Sequence, residues 1–412
     1  MLNKGLKEKV YCGLDIGAQN IKVSLIQSKD SGLEVLGAYG YPIYGFKSSS
    51  VSDFNEFSEC VHHVLNELAE KTGIRVKSVQ LGLDGNFIDV RKTSTAIPLI
   101  DKGNKVITDA DIRKVNKQAR LLGVRMEDQV LHEKPQVYHV DDVNSAINPV
   151  GLYGRKLAVE SLILVSNVDR VKNILKSVNH AGYDISQLYF GSYVASDLVL
   201  TEENRKKGCV LIDTGADVTS VLIFHEGRLK NIETLKIGGN HFTQEIARVL
   251  NLSFELAEEI KKSYATAIIS QIQEDEEILV KRETSYIPIK RIQIYNAILK
   301  QVDGLVEEIH QIILRSGLYA ELYTGIRMIG GGSLLTGLIE RIEEKTKLTV
   351  ALAQINNISQ RNISNSALFS TAVALAQKGY EDSMERSIIR NDRLNFQQKL
   401  MNKAKELYEE YF

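Results

Sequence analysis

The same strand–turn–strand pattern occurs twice in this sequence, and the duplication limits the folds that are open to the chain. In the first copy an apolar stretch leads into Asp15-Ile16-Gly17 and continues with residues 21–26. In the second copy residues 209–212 lead into Asp213-Thr214-Gly215, and a further apolar run follows at once. Short β-branched runs bounded by glycine turns are typical of buried strands. The repeat therefore predicts a duplicated α/β fold with a ligand between two facing hairpins.

The bulk composition is that of a globular protein with more than one domain. The chain has 412 residues, which is enough for two or more domains. Its formal net charge of −1 gives no indication of a nucleic-acid partner. Cys12 and Cys209 occupy the same place in the two repeats, and we expect both to be small buried residues in a reducing cytosol. We find no signal peptide and no apolar run approaching the ~18 residues that span a bilayer.

Changes in composition and periodicity along the chain divide it into two halves, a module and a terminal segment. Segments of alternating apolar and polar residues between 86 and 164 interrupt the first half before that half is complete. The predicted divisions are a first half at 1–85 and 165–203, an inserted α+β module at 86–164, a second half at 204–380 with an outer subdomain at 253–324, a linker at 381–392 and a terminal helix at 393–412.

A third glycine-rich turn follows an apolar run late in the chain. Residues 326–329 are predicted to form a strand that leads into Gly330-Gly331-Gly332-Ser333, which opens a helix over 334–345. Glycines at such a turn let the backbone approach a ligand and point helix N–H groups at it. A tight crossover without a ligand is the alternative for one such turn. Three of them together favour a binding cleft.

The last twenty residues regain helical periodicity with an apolar face. A terminal helix of this kind can be a docking helix, a coiled-coil seam or a helix that lies on a membrane surface. Glu406, Glu409 and Glu410 weaken its attraction to anionic lipid. The residues that would enter the membrane are Phe396, Leu400, Met401, Leu407, Tyr408, Tyr411 and Phe412.

The repeats, the glycine-rich turn and the inserted module together resemble the actin-like ATPase superfamily and, within it, the FtsA family of bacterial division proteins. His132 and the run Pro135–Asp141 resemble that family's H-x-x-P-Q-x-Y-x-V-D motif. Residues 148–157 resemble its N-P-V-G-M-x-G-x-R-L motif, and the likeness extends from about residue 11 to 376. The resemblance implies a duplicated actin-like (ribonuclease H-like) fold with a small inserted α+β module and a C-terminal amphipathic helix.

The resemblance also implies a cleft for ATP and Mg²⁺. Asp15 and Asp213 would hold Mg²⁺ through its waters, because carboxylates in direct contact with phosphate would repel it; the alternative for a single such Asp is a bond to its own turn. The loop from Asp15 to Asn20 would meet the phosphates with backbone N–H groups. The nucleotide-binding positions of the two loops are Asp15, Gly17, Ala18, Gln19, Asn20, Asp213, Gly215, Ala216 and Asp217. The remaining implied nucleotide-binding positions are Gly239, Glu258, Lys261, Lys262, Gly331, Gly332 and Ser333.

Glu258 and Lys261 lie one helical turn apart, so they share a face and could hold the ribose and the base. Their alternative is a surface i,i+3 salt bridge, which contributes only ~0.2–0.5 kcal/mol and is common on any helix.

Two departures from the superfamily pattern concern hydrolysis. The usual second phosphate loop is D-x-G-G-G-T, but Ala216 and Asp217 replace two of its glycines here. The place where the family tends to carry a Glu before a Pro reads Gly191-Ser192, with no carboxylate to orient an attacking water. We therefore expect nucleotide binding, with hydrolysis slow or absent and at most weak ATPase activity.

The family resemblance further implies several partners and a location. Bound ATP would order the two halves and favour a head-to-tail filament, to which the inserted module supplies part of the contact. The FtsZ C-terminal peptide would bind near Lys281, Arg282, Lys290 and Arg291, although these side chains could equally be solvated loop charge. The terminal helix would hold the protein on the inner face of the cytoplasmic membrane at the division site, among other division proteins.

A second resemblance indicates an alternative class, a scaffold protein that binds a peptide. The loop Asp213–Ser220 also resembles the PilM family, cytoplasmic actin-like scaffolds of type IV pilus assembly that grip a peptide of a membrane protein. The two module motifs and the terminal helix favour FtsA over PilM. A sugar kinase would need a catalytic base and a sugar pocket, and the sequence shows no sign of either.

Overall fold

The computed structural model describes residues 9–47, 49–100, 103–141, 144–273, 275–282, 285–359, 363 and 365–387.

The first half is built on a six-stranded sheet. In the first half Asp53 caps a helix by accepting the backbone N–H groups of Asn55 and Glu56. The elements before the module are β1 (Lys9–Ile16), β2 (Asn20–Lys29), β3 (Gly32–Pro42), β4 (Phe46–Lys47), β5 (Ser50–Val51), α1 (Phe54–Thr72) and β6 (Ser78–Leu83).

The inserted module has its own sheet and its own core, which confirms the predicted α+β insertion. Its sheet order is β10-β9-β12-β7, and α2 packs on one face around buried Val115 and Val159. The module consists of β7 (Asp89–Pro98), β8 (Lys105–Val106), α2 (Asp109–Gly123), β9 (Asp128–Val140), β10 (Asn144–Ala146), β11 (Tyr153–Gly154) and β12 (Lys156–Asn167).

The chain then completes the first sheet and crosses to the second half. β13 pairs in parallel with β6, which pairs in parallel with β1. The crossing segment consists of α3 (Val168–His180), β13 (Asp184–Phe190), α4 (Gly191–Val199) and α5 (Glu202–Lys207).

The second half carries a five-stranded sheet and an outer hairpin. The long helix α8 buries the predicted apolar stripe from Ile294 to Ile313. The elements are β14 (Cys209–Thr214), β15 (Thr219–His225), β16 (Arg228–Leu235), α6 (Gly239–Leu250), α7 (Phe254–Tyr264), β17 (Glu277–Arg282), β18 (Ser285–Lys290), α8 (Arg291–Arg315), β19 (Ile326–Ile329), α9 (Leu338–Thr346), β20 (Val350–Leu352), β21 (Ile358–Ser359) and α10 (366–387).

The two halves have matching sheets. The first reads β3-β2-β1-β6-β13 and the second β16-β15-β14-β19-β20, with the antiparallel triplet on the same side in each. Cys12 and Cys209 are both buried, as predicted. They do not occupy the same place in the two repeats, because Cys12 precedes Asp15 by three residues and Cys209 precedes Asp213 by four. The duplication inferred from the two Asp-x-Gly turns is confirmed.

The end of the second half belongs to the first half, which corrects the predicted boundary at 204–380. β21 pairs with β3, and α10 packs on β1 and β6. A Cβ at Gly13 would lie 2.1 Å from the carbonyl oxygen of Ala372, and one at Gly82 would lie 2.5 Å from Leu375 Cδ1. The amphipathic pattern of α10 predicts a helix but does not say which sheet it covers; the glycines that face it were the available signal.

Two further boundaries differ from expectation. Residues 381–387 continue α10, so the linker predicted at 381–392 is wrong for them. The Gly330–Ser333 turn leads into a 3-10 turn at Gly331–Leu334, and α9 begins only at Leu338, because Leu335 is extended and Gly337 has φ 81°. The predicted terminal helix at 393–412 lies outside the described residues. Within the described ranges, no helix combines the length and apolar character needed to cross a bilayer.

Candidate functional site

The carboxyl ends of the parallel strands in both sheets face one cleft. Asp15 is the next-to-last residue of β1, and Asp213 holds the same place in β14. Their cross-strand partners are Lys22 on β2 and Ser220 on β15. Ligands of open α/β sheets bind beyond the carboxyl ends of the strands. The matched aspartates therefore mark the candidate site.

The two hairpin loops close in the same way. The backbone N–H of Gly17 donates to the carbonyl of Asn20 at 3.2 Å, and that of Gly215 donates to the carbonyl of Val218 at 2.8 Å. A Cβ at either glycine would lie 3.0–3.1 Å from the carbonyl that accepts this bond. A side chain at either position would crowd this carbonyl, so the shape of each loop favours glycine.

Asp213 is surrounded by groups of both charges. Burial raises the pKa of its carboxyl above the ordinary value, a hydrogen bond from Ser192 Oγ at 2.7 Å opposes this, and the charge of Asp15 adds to it. Lys22 Nζ lies 3.5 Å from Asp15 Oδ2. The Gly191-Ser192 position, predicted to lack a carboxylate, thus sits at the cleft and supplies a hydroxyl.

The start of α6 holds the second hairpin loop. The N–H groups of Gly239 and Asn240 donate to the carbonyls of Gly215 and Ala216 at 3.0 and 2.7 Å. Asn240 Nδ2 donates to Asp217 Oδ1 at 2.7 Å. The two residues that replace the usual glycines are therefore anchored to α6 within the second half.

Glu258 and Lys261 form a buried pair, which excludes the surface salt bridge weighed as their alternative. Lys261 Nζ lies 2.6 Å from Glu258 Oε2 and donates to the carbonyl of Gly239 at 3.0 Å and to Thr243 Oγ1 at 2.8 Å. Thr243 Oγ1 in turn donates to Glu258. Lys262 is largely exposed, with Nζ 3.2 Å from Glu258 Oε1. The pair is one part of a compact polar cluster at the base of the cleft.

Charge and hydrogen bonding set the ionisation of that cluster. Burial alone would raise the pKa of Glu258, but Lys261 and hydrogen bonds from Thr243 and Gln19 hold it below its ordinary value. Burial lowers the pKa of Lys261 in spite of the Glu258 carboxylate. The Gln19 side chain belongs to the hairpin loop of the first half, so its effect on the pKa of Glu258 acts across the cleft.

The glycine-rich turn packs on the second hairpin loop. A Cβ at Gly332 would lie 2.5 Å from Thr214 Cγ2, whereas one at Gly331 would meet only Leu368 at 3.5 Å. A Cβ at Gly239 would lie 3.3 Å from Lys261 Nζ and 4.0 Å from Gly332 Cα. Gly239, Lys261 and Gly332 therefore lie close together. Ser333 is buried and its hydroxyl donates to the carbonyl of Gly330 at 2.6 Å, so it is occupied within the turn.

Sequence reasoning missed a further carboxylate at the cleft. Asp84 follows β6 directly, and its Oδ1 accepts the backbone N–H of Asn86 at 2.8 Å. Burial, with smaller contributions from Asp15, Asp217 and Asp213, raises the pKa of Asp84 to about 7. A Cβ at the next residue, Gly85, would lie 2.5 Å from Ser220 Oγ of the second half. Its position after a strand parallel to β1 was the signal that could have found it.

The residues proposed for peptide binding lie around the β17–β18 hairpin. Lys281 pairs with Tyr286 in this hairpin, and both are exposed. Arg291 is engaged within the chain, since its Nη1 lies 2.9 Å from Glu276 Oε1 and its Nε donates to the carbonyl of Tyr264 at 3.0 Å. Lys290 Nζ lies 3.6 Å from Asp275 Oδ1. Arg291 therefore organises the loop before α8.

Two matching halves with paired aspartates at one cleft define an actin-like protein. Solved structures share this fold: a PilM–PilN type IV pilus biogenesis complex has a TM-score of 0.63 and 18% identity, with 90% of this chain and 98% of that chain covered. MreB5 of Spiroplasma citri, solved bound to ADP, has a TM-score of 0.52 and 12% identity over 92% and 98% of the two chains. At these identities the likeness concerns the fold alone.

Sequence comparison assigns the chain within that class. The family described as "Cell division protein FtsA" matches residues 210–374, and the "SHS2 domain inserted in FTSA" matches 85–165. The FtsA of Streptococcus pneumoniae is 28% identical over 86% of this chain and 78% of its own length. That of Escherichia coli K12 is 25% identical over 92% and 93%. The chain belongs to the FtsA family of cell division proteins.

Proposed function

We propose that the cleft binds ATP with Mg²⁺ between the two halves. The observation that carries the proposal is the matched pair Asp15 and Asp213, each at the end of an equivalent strand and each beside an equivalent glycine-closed loop. MreB5, which shares the fold, was solved bound to ADP. Two facing hairpins with backbone N–H groups suit a polyphosphate, and two carboxylates suit a hydrated divalent cation.

The residues at the other end of the cleft fit a nucleoside. Glu258 and Lys261 offer a carboxylate and an ammonium at the base of the cleft, and Gly331 and Gly332 leave a surface without side chains. Bound Mg²⁺ would neutralise phosphate charge, and Asp15 and Asp213 would orient its water ligands. Gln19, in the first hairpin loop, would contact the nucleotide from the opposite side of the cleft.

Hydrolysis is proposed to be slow or absent. Ser192, at the place where the family tends to carry a Glu, donates its hydroxyl to Asp213 and cannot act as a carboxylate base toward water. The test is phosphate release under multiple turnover by purified protein. Multiple-turnover ATPase activity that Asp213→Ala abolishes would show that the cleft is hydrolytic and would refute this part of the proposal.

We further propose that the protein polymerises on the inner face of the cytoplasmic membrane and tethers the FtsZ ring. Membership of a family of cell division proteins supports this role. The filament would use the inserted module, the FtsZ C-terminal peptide would bind the outer part of the second half near Lys281, and residues 393–412 would bind the membrane surface. Other division proteins would be recruited at the same place, and no nucleic-acid partner is proposed.

Liposome co-sedimentation tests the tether and separates it from the competing function. Full-length protein should pellet with lipid and recruit an FtsZ tail peptide, and deletion of 393–412 should leave it in the supernatant. Protein that never pellets under any nucleotide condition would refute the tether. Peptide capture without lipid binding would favour a scaffold like PilM, with whose complex this chain shares its fold.

A further inference from the structure

Strand β9 of the inserted module contacts both halves of the molecule beside the cleft. Its pairing with β12 is interrupted twice: Leu131 and Gln136 each stand as an extra residue opposite β12. A β-bulge releases backbone groups from the ladder and bends the strand. The two bulges lie five residues apart, about 16 Å along an extended strand. The contacts of β9 with the two halves lie at or beside these bulges.

At the first bulge, β9 is fastened to the first half through His132. The backbone N–H of Phe190 donates to His132 Nε2 at 3.0 Å, and the imidazole lies 4.7 Å from the ring of Tyr193. Burial lowers the pKa of His132 to about 3, so the ring is neutral and its Nε2 is an acceptor at physiological pH. Lys134 Nζ lies 4.9 Å from the centre of the Tyr193 ring and adds a cation–π contact.

The segment that His132 contacts, residues 190–192, leads directly into the cleft. Phe190 ends β13 and precedes α4, whose second residue, Ser192, donates to Asp213 Oδ2 at 2.7 Å. A Cβ at Gly191 would lie 3.9 Å from Asp15 Oδ1. One residue, Gly191, therefore separates the residue whose N–H donates to His132 from the residue whose hydroxyl orients the second aspartate.

At the second bulge, β9 is fastened to the second half. The carbonyl of Gln136 accepts a hydrogen bond from Arg228 Nη1, and Arg228 is the first residue of β16. Arg228 Nη2 also lies 2.6 Å from Glu226 Oε2. One strand of the module thus holds each half of the actin-like fold at a separate point.

We propose that β9 couples the nucleotide cleft to the inserted module, with His132 as a positioning residue for Ser192 and Asp213. The proposal rests on the nucleotide-binding function proposed above. When the halves move relative to each other, the distance between the attachments of β9 at Phe190 and at Arg228 changes. β9 is hydrogen-bonded along its length to β12, so the module turns with it. Ligand binding in the cleft thereby changes the orientation of the module surface relative to the two halves.

Distance measurement between spin labels tests the coupling. Lys117→Cys on α2 and Asn296→Cys on α8 place labels on exposed positions of the module and the second half, and the three native cysteines are buried. Binding of Mg²⁺ with a non-hydrolysable ATP analogue should shift the mean inter-label distance in the doubly labelled protein. Arg228→Ala should bind the analogue with unchanged affinity and lose the shift, because the second attachment is gone.

His132 variants test the positioning role separately. His132→Ala should weaken binding of the analogue by roughly tenfold, the usual scale for loss of a residue that orients a ligand-holding group. His132→Gln keeps an acceptor for the Phe190 N–H and should restore affinity. A shift of the same size in Arg228→Ala, or no shift in the parent protein that binds the analogue, would overturn the coupling alone. Absence of analogue binding by the parent protein would overturn the nucleotide proposal and the coupling together.

Discussion

Ser192 and Asp213 are hydrogen-bonded across the cleft, one on α4 at the end of the first half and the other on β14 of the second half. The Ser192 hydroxyl donates to Asp213 Oδ2 at 2.7 Å. A hydrogen bond to an ionised group is stronger than one between neutral groups. The bond therefore helps to hold the two halves together.

Ser192→Ala should weaken this link between the halves. Ser192 is buried, so its loss leaves the Asp213 carboxyl without this donor and should lower the free energy of unfolding by about 1–2 kcal/mol. Urea denaturation measures the change, and hydrogen exchange should rise in α4. Ser94→Ala, at an exposed position on β7, is the matched control and should change neither quantity. Equal stability of the two variants would show that the cross-cleft bond contributes nothing.

Lys261→Met should be much more harmful than Lys262→Met. Removal of Lys261 leaves the Glu258 carboxylate buried with only the exposed Lys262 beside it, and breaking a buried ion pair in this way costs about 3 kcal/mol. The Lys262 side chain is 63% exposed, so its loss should cost under about 1 kcal/mol. Chemical denaturation of both variants checks the contrast. Equal losses of unfolding free energy in the two variants would mean that the Lys261–Glu258 pair is solvated.

Acid should destabilise the protein partly through His132. Its pKa is about 3 in the folded state and near 6.5 when unfolded, so the unfolded chain binds the extra proton between those values. Stability should therefore fall as pH drops below 6.5, by up to about 1.4 kcal/mol per pH unit from this group.

His132→Gln should flatten that pH dependence, because glutamine accepts the Phe190 N–H without titrating. Unfolding free energies measured at intervals from pH 7 to pH 4.5 give the slope. His63→Gln, at an exposed site on α1, should keep the parent slope. A His132→Gln protein with the parent slope would assign the acid sensitivity to other groups.

Asp84→Asn should stabilise the ligand-free protein at alkaline pH. The pKa of Asp84 is about 7 in the folded state against 3.8 as its ordinary value, so the folded state binds the extra proton and loses stability as pH rises through this window. Asparagine keeps the acceptor for the Asn86 N–H without the charge. At pH 8 the variant should gain roughly 2–4 kcal/mol in unfolding free energy.

The gain from Asp84→Asn should vanish near pH 4, where both side chains are neutral. Thermal unfolding at the two pH values measures the difference. Asp184→Asn, at an exposed position at the start of β13, serves as the control and should show no such dependence. A variant no more stable than the parent protein at pH 8 would show that Asp84 is well solvated.

The local features of the site were accessible from the sequence. The Asp-x-Gly turns at Asp15 and Asp213 lie where their apolar runs predict, because strand ends and glycine turns follow from neighbouring residues. Glu258 and Lys261 share a helix face because of their spacing. Their burial and the contact of Gly85 with Ser220 beside Asp84 could not be predicted, since each depends on segments distant in the chain.

The sequence by itself determined the duplicated strand pattern, the paired aspartates, the module motifs and the family. These features are encoded in residue order over short windows, where periodicity and turn chemistry act directly. Only the tertiary structure decided that α10 returns to the first half, that β9 bridges both halves and that Ser192 meets Asp213. Such contacts join segments separated by tens to hundreds of residues, and their geometry is set by how the sheets pack, which no local pattern records.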